Sequence, residues 1–315
     1  MKIVFFGTPA FSVPFLLELI RNPEIEVVGV VTQPDKPAGR GGDIVSTPTK
    51  LLAHEALIPV FQPSSLKTDQ HIGKILKNLD ADFFVVVAYG KIIPKTILDI
   101  PKLGCINVHP SLLPRHRGPS PMQWAIAQGD VTTGVTIMLL DEGMDTGPLL
   151  ASEHVTIDAD EIYETLVAKV RTIGPQLLTS TLKRFAAGEI MAIKQDESKA
   201  TLTRLLEKED GHVDWSQTME QIDRKHRAYH EWPGTWMFWE RKQDVCIRLK
   251  INALRPVDFH VDVPRGVATI KESRLFVDCK DGTLEILEIQ PEGKPNMKAS
   301  AFIQGYPDID RAMMR

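Results

Sequence analysis

Two changes of pattern along the chain predict an α/β domain built on a mostly parallel sheet, followed by a small β-barrel domain. In the first half, short apolar runs alternate with segments whose apolar residues recur at helical spacing, the pattern of buried strands and covering helices. Beyond about residue 207, short strand-type runs follow one another with turn residues between them, which suits a barrel. Length agrees, because 315 residues exceed the usual size of one core.

Each element can be justified in turn. Residues 3–6 are fully apolar and are stopped by Gly7, Thr8 and Pro9. Residues 11–20 then carry apolar positions at helical spacing, with Ser12 able to cap and Pro14 tolerated in the first turn. A second buried strand is expected over 27–32, a helix over 51–57 leading to a strand at 60–61, a helix over 72–79, and the most apolar strand at 83–88. Residues 33–50 read as a loop rich in proline, glycine and charge, too long for a routine connection, with Lys36, Arg40 and Lys50 as its cations. A helix begins near Ser120 and runs to Gln128, a strand covers 134–140, and a long amphipathic helix covers 162–187. The polar stretch after it reads as a linker, giving a first domain 1–188, a linker 189–206 and a second domain 207–315. In the second domain one helix, 219–228, precedes strands at 235–239, 245–253, 266–270, 275–278 and 284–289, punctuated by Gly266, Asp281-Gly282 and Pro291.

Composition narrows the function classes. With 43% hydrophobic and 25% charged residues and a net charge of -4, the chain is an ordinary soluble type and not a wholly basic nucleic-acid protein, although a local basic face is compatible. Cys105, Cys246 and Cys279 lie too far apart for a disulfide framework or a paired metal spacing, which fits a reducing compartment. The first residues show no signal-peptide pattern and no run reaches membrane-spanning length, so a cytoplasmic protein without a membrane partner is expected. The turn Gly7-Thr8-Pro9-Ala10 has one glycine where a dinucleotide fingerprint needs three, and it lacks the phosphate-loop lysine.

The chemistry centres on residues 104–118. Asn107 and His109 share one face of an extended segment, because strand side chains repeat every second residue. Pro110 and Pro114 end the strand near His109 in a held loop, at the carboxyl end of a strand, where ligands bind such sheets. Asp145 follows the 134–140 strand between Gly143 and Gly147, which permit positive backbone dihedrals and close approach, and it is the natural partner for His109. Each residue alone is satisfied by a structural polar role; the three together point to catalysis. Ser111 lies beyond the strand and lacks the Gly-x-Ser-x-Gly elbow, so no acyl-enzyme is expected. The set suits attack by a substrate amine on a carbonyl. Asn107 and a protonated His109 would donate to the oxyanion, while Asp145 orients the imidazole, raises its proton affinity and relays a proton toward the leaving nitrogen. His54, His71, His116 and His154 have no ligand spacing, so no metal is expected.

Between residues 224 and 255, eight cations (Arg224, Lys225, Arg227, Arg241, Lys242, Arg248, Lys250, Arg255) face three anions (Glu231, Glu240, Asp244), interleaved with Trp232, Trp236, Phe238 and Trp239. This mixture is either a nucleic-acid surface or a small domain's aromatic core under a solvated charged face.

Asn107-Val-His109-Pro-Ser111-Leu-Leu-Pro114-x-x-Arg117-Gly118, followed by Asp141-Glu-Gly-Met-Asp145-Thr-Gly147, resembles the signature of 10-formyltetrahydrofolate-dependent formyltransferases. Phe6-Gly7-Thr8-Pro9, the loop from Pro34 to Gly41, Asp214-Trp215-Ser216 and Trp232-Pro-Gly234 look like the branch of that family acting on methionyl-tRNA. The resemblance implies a Rossmann-like catalytic domain and an OB-like barrel that helps hold tRNA. It also implies 10-formyltetrahydrofolate as co-substrate and initiator methionyl-tRNA as partner, and a monomer is expected. By motif match, Asn107, His109 and Asp145 take the catalytic positions and Ser111, Leu112, Leu113 and Pro114 contact folate. The resemblance also implies that the backbone of Val86, Val87 and Ala88 lines the pterin pocket and that the loop with Lys36 and Arg40 enters the tRNA acceptor-stem region, while the basic segment supplies Arg224, Lys225, Arg227, Arg248 and Lys250 as the expected tRNA-facing cations. One departure stands out. After Arg40-Gly41 the family usually carries more cations, whereas here stand Gly42, Asp43, Ile44 and Val45, which removes phosphate contacts. A sugar-nucleotide N-formyltransferase could share the triad, and a nucleic-acid-binding module on an inactive folate-type domain is the non-enzymatic alternative.

Overall fold

The computed structural model describes residues 1–38, 43–242, 245–261 and 263–315, so Arg40 lies outside the described residues. The chain forms two compact units, one of residues 1–121, 132–156 and 167–203, the other of 122–131, 157–166 and 204–315.

The first unit contains β1 (Lys2–Gly7), α1 (Val13–Arg21), β2 (Glu26–Val31), β3 (Lys36–Ala38), β4 (Asp43–Val45), α2 (Pro48–Glu55), β5 (Val60–Phe61), α3 (Gln70–Asn78), β6 (Phe83–Val87), α4 (Lys95–Leu98) and β7 (Gly104–His109). The chain continues through α5 (Pro121–Gln128), β8 (Thr132–Leu139), β9 (Leu149–Thr156) and α6 (Tyr163–Ala186). The apolar runs become strands, but Ser12, expected to cap α1, makes no capping bond because its hydroxyl donates to the Val87 carbonyl at 2.6 Å; at α3 the Asp69 side chain caps, accepting from the His71 and Ile72 amides.

The main sheet has the order β5-β2-β1-β6-β7-β8-β9. The first five of these strands are parallel, and β8 and β9 run antiparallel to their neighbours. Strand order reverses beside β1, with β2 on one side and β6 on the other, and ligands bind such sheets at the carboxyl ends near a reversal of this kind. Val4, Phe6, Val31, Phe84 and Val86 build a core on one face of this sheet. The stretch read as a loop at 33–50 holds a two-stranded hairpin, β3 with β4, and then α2, whose first turn is capped by Thr47. Ile44 and Val45 are exposed on it. Residues 189–203, read from sequence as linker, are bound to this unit along the 114–120 loop: the Arg117 amide donates to the Thr201 carbonyl (2.9 Å) and the Thr203 amide to the Arg117 carbonyl (2.7 Å).

The second unit takes in α5 from residue 122 and adds α7 (Met219–Ala228), β10 (Thr235–Lys242), β11 (Val245–Val257), β12 (Ala268–Lys271), β13 (Arg274–Asp278), β14 (Thr283–Pro291), β15 (Met297–Lys298) and α8 (Ala299–Gly305). The strands form an antiparallel sheet ordered β10-β11-β14-β13-β12, with β15 on β14. The sheet curls, and residues 311–315 bond to both of its edges, at Ala268 through Arg311 and Ala312 and at Phe238 through Arg315. That pairing covers edge groups that would otherwise be open to other chains. Trp239 and Trp215 are buried in the core of this unit with Leu249, Ile251 and Phe302, so these two tryptophans serve packing; Trp232 is exposed. α8 was not anticipated, because its seven residues present too few turns for a periodic signal.

Candidate active site

β7 places Asn107 and His109 on one face, as their spacing requires. His109 is buried and Asn107 half-buried at the strand's carboxyl end. The His109 Nε2–H donates to the His116 carbonyl at 2.9 Å, which fixes the proton on Nε2 in the neutral ring. Its Nδ1 lies 3.5 Å from Asp145 Oδ2. Burial pushes the imidazole's proton affinity down, and the Asp145 carboxylate and the hydrogen bond to His116 oppose this only in part. Burial thus favours the neutral imidazole, whereas the sequence reading expected a protonated one. The Asn107 side-chain amide has no hydrogen-bond partner among the described residues.

Asp145 is held from the other side. Its Oδ2 accepts from the Gly118 amide at 2.7 Å, and Oδ1 has no such partner among the described residues. Sequence reasoning gave the positive backbone dihedral to the flanking glycines, but Asp145 itself takes it, with φ +56°. Aspartate tolerates this region better than most residues, at a cost on the order of 1 kcal/mol that surrounding contacts must hold. Gly143 and Gly147 serve close approach: a Cβ on Gly147 would stand 1.9 Å from the Leu139 carbonyl oxygen, and one on Gly143 2.0 Å from Thr146 Oγ1. Gly147→Ala is accordingly expected to destabilise the protein by about 1–3 kcal/mol, read as a lower Tm, and to slow turnover beyond what the lost stability explains.

The remaining positions divide. Val86 and Val87 are buried in β6, and Ala88 is exposed with φ +48°. Ser111 is fully buried and its hydroxyl donates to the Arg115 carbonyl at 2.7 Å, which leaves it no nucleophilic role. Leu113 is buried, and Leu112 and Pro114 are half-buried on the same loop. A cavity of about 610 Å³ opens elsewhere on this unit, lined by Lys95, Leu98, Asp99, Leu103, Gly104, Cys105, Leu139, Leu140, Asp141, Glu142 and Gly143. It adjoins the loop that carries Asp145, and none of Val86–Ala88 or Ser111–Pro114 lines it. Burial raises the Cys105 thiol to about 12, so this cysteine is no nucleophile at neutral pH. Among the described residues no group of three or more His, Cys, Asp or Glu side chains is placed to hold a metal ion, and no helix is long and apolar enough to cross a membrane.

Two residues that sequence reasoning did not select also belong to this site. Arg117 is buried, with its guanidinium on Glu197 (2.8 and 2.9 Å) and on Gln195 Oε1 (2.9 and 3.1 Å). Arg117 stood in the motif; Gln195 stood in a polar stretch with no periodic or motif signal.

Comparison with known proteins shows the family. The formyl transferase model matches residues 1–182, and the model of the formyl transferase C-terminal domain matches residues 205–307. The chain belongs to the formyl transferase family. It is 41% identical to the methionyl-tRNA formyltransferase of Citrifermentans bemidjiense, over 97% of this chain and 94% of that one. It is 42% identical to the methionyl-tRNA formyltransferase of Roseiflexus sp., over 97% and 92%. Among solved structures, HypX from Aquifex aeolicus in complex with tetrahydrofolic acid aligns with a TM-score of 0.62 at 16% identity, covering 97% of this chain and 47% of that one. An N-formyltransferase from Helicobacter canadensis with folinic acid and dTDP-3-aminofucose aligns with 0.65 at 17%, covering 91% and 98%. At these identities the structural matches establish the fold.

In this formyltransferase the cations singled out from sequence do not form one free patch. Arg224 is paired with Glu220, Arg227 with Asp223 (2.9 Å), and Arg248 with Glu292 (3.6 Å). Lys36 is exposed at the start of β3, and Lys225 and Lys250 are half-buried; these three have no carboxylate partner among the described residues. Lys250 lines a cavity of about 310 Å³ in the second unit with His226, His230 and Thr235.

Proposed function

We propose that this chain transfers the formyl group of 10-formyltetrahydrofolate to the α-amino group of methionyl-initiator tRNA by direct attack of the amine. The observation that carries the reading is the approach of Asp145 Oδ2 to His109 Nδ1 (3.5 Å), on the strand face that Asn107 shares with His109, with no activated serine or thiol in the set. The acceptor is supported by relatives at about 40% identity over nearly the whole chain that carry that activity in their names. Structural neighbours bound to folates support the donor, and the cavity beside the Asp141–Gly143 stretch, lined by Leu98, Leu103, Leu139 and Leu140 together with Asp141, suits a flat ring with a hydrogen-bonding edge.

The amine nitrogen bonds to the formyl carbon, and the carbonyl electron pair moves to oxygen. The Asn107 N–H donates to that oxyanion, a contribution of roughly 3 to 4 kcal/mol in comparable sites. His109 Nδ1, 3.5 Å from Asp145 Oδ2, shares the amine's proton with that carboxylate as charge develops, so no second proton enters the reaction. Asp145 Oδ1 accepts the proton lost by the attacking amine, and the proton passes to N10 as the carbon–N10 bond breaks. Products are N-formylmethionyl-tRNA and tetrahydrofolate, with atoms and charge balanced. The first unit supplies this chemistry and the second contributes acceptor contacts through Lys225 and Lys250, with Lys36 adding one from the hairpin.

The test is a competition: 10-formyltetrahydrofolate with equal concentrations of methionyl-initiator tRNA and a 4-amino sugar nucleotide. Formyl-methionyl product in excess supports the assignment, and formylated sugar alone overturns it. Binding of tRNA is expected to weaken with salt, log Kd rising against log salt with a slope of at least about 1.5, equivalent to two or more neutralised phosphates. A flat response would remove the lysines from the interface.

A further inference from the structure

We infer that Gln195 is a positioning residue for the transfer reaction, holding the Asp145 loop in register with His109 although it touches neither substrate. The inference rests on the role proposed above for Asp145. Gln195 is 50 residues beyond Asp145 in the chain, and its side chain is 4% exposed. Its Nε2 donates to two carbonyls of the catalytic loop, that of Asp145 at 2.8 Å and that of Gly147 at 2.7 Å. Its Oε1 accepts from Arg117 Nε and Nη2. Arg117 in turn is locked by the Glu197 carboxylate, two residues along the same segment as Gln195.

All four hydrogen-bonding positions used by the amide are therefore filled, two toward a fixed cation and two toward the backbone that presents Asp145. That backbone needs holding. Asp145 sits in the left-handed region, its carboxylate is 3.5 Å from His109 Nδ1, and the loop is free of secondary structure between β8 and β9. The same segment supports the histidine: Thr201 Oγ1 accepts from the His116 amide at 2.8 Å, and the His116 carbonyl receives the His109 Nε2–H. A single stretch, 195–203, thus anchors the backbone behind both catalytic side chains. Loss of the Gln195 donors leaves two carbonyls unpaired and lets the loop shift. A displacement near 1 Å at a reacting centre costs on the order of 100-fold in rate.

The experiment is a double-mutant cycle on the full-length protein with 10-formyltetrahydrofolate and methionyl-initiator tRNA, turnover being counted per folate-binding site so that unfolded protein drops out. Gln195→Ala and Gln195→Glu are each made in the parent and in the Asp145→Asn background. Glutamate keeps the acceptor for Arg117 and loses both donors, so it separates the two halves of the contact. In the parent, both variants are expected to lower kcat about 10- to 100-fold with KM for either substrate changed less than about threefold. In the Asp145→Asn background, the further loss is expected to be less than about threefold, because the group that Gln195 positions is already disabled. A full multiplicative loss in that background, or a Gln195→Glu enzyme as fast as the parent, overturns the inference while the mechanism stands. If Asp145→Asn itself turns over at the parent rate, the mechanism fails and the inference with it.

Discussion

Replacing Asp145 with asparagine is expected to lower kcat by at least about 100-fold while the Kd for tRNA stays within twofold, measured by steady-state formylation beside a binding titration. Asparagine is the exchange that isolates charge. It adopts the left-handed backbone at φ +56° as readily as aspartate, and its carbonyl can still accept from the Gly118 amide. What disappears is the carboxylate to which the proposal gives the amine's proton, and with it the negative charge beside His109. The sign of the accompanying pH effect follows. Burial lowers the proton affinity of His109, while the Asp145 carboxylate and the hydrogen bond to the His116 carbonyl raise it. Without the carboxylate, the rate limb that reports His109 moves to lower pH. A variant defective in tRNA binding with normal kcat would reject the role given to Asp145.

Asn107→Ala carries the second large effect. Removing one oxyanion donor is expected to reduce kcat about 100- to 1,000-fold, with KM for both substrates changed less than about threefold, because the donated bond strengthens only as the oxyanion forms. The Asn107 amide has no hydrogen bond to lose within the described protein and is half-buried, so Tm should move by no more than about 2 °C. Asn107→Asp should be as slow or slower, since it places a carboxylate where negative charge develops. An alanine variant that raises KM and spares kcat would make Asn107 a binding residue and leave the oxyanion without its donor.

Much of this site was legible because its chemistry lies in local spacing. Asn107 and His109 are two residues apart on an apolar strand, and proline stops that strand at the point where the chain must expose a ligand-facing end. The parallel core from β1 to β7 was legible for the same reason, since buried strands and amphipathic helices leave distinct periods. Strand direction was not. Periodicity is the same for either direction, and only the absence of a helix between residues 139 and 149 hints that β8 and β9 form an antiparallel pair. The pairing of β3 with β4 escaped because these strands are three residues each, shorter than any alternation test can resolve.

The protonation state of His109 depends on burial and on a carbonyl seven residues away, which no residue count reveals. Gln195 illustrates the deeper limit. A glutamine in a polar stretch carries no signal of its own, and it becomes informative only when the fold sets its amide between Arg117 and the Asp145 loop. The basic segment from 224 to 255 fails in the opposite direction. Its excess of cations is visible in sequence, but Arg224, Arg227 and Arg248 are each answered by a carboxylate, which leaves fewer charges for a phosphate backbone than the count suggests.

The central claim is direct transfer between two bound substrates at Asn107, His109 and Asp145. It is tested most directly by a rapid-quench single turnover with 10-formyltetrahydrofolate labelled in the formyl carbon and methionyl-initiator tRNA. The account predicts that label passes from folate to the methionyl amine with one rate constant and with no label on the acid-precipitated protein at any time, and that Asp145→Asn slows this step alone. Label trapped on the protein before it reaches tRNA, or label absent from the methionyl amine while folate is consumed, would contradict it.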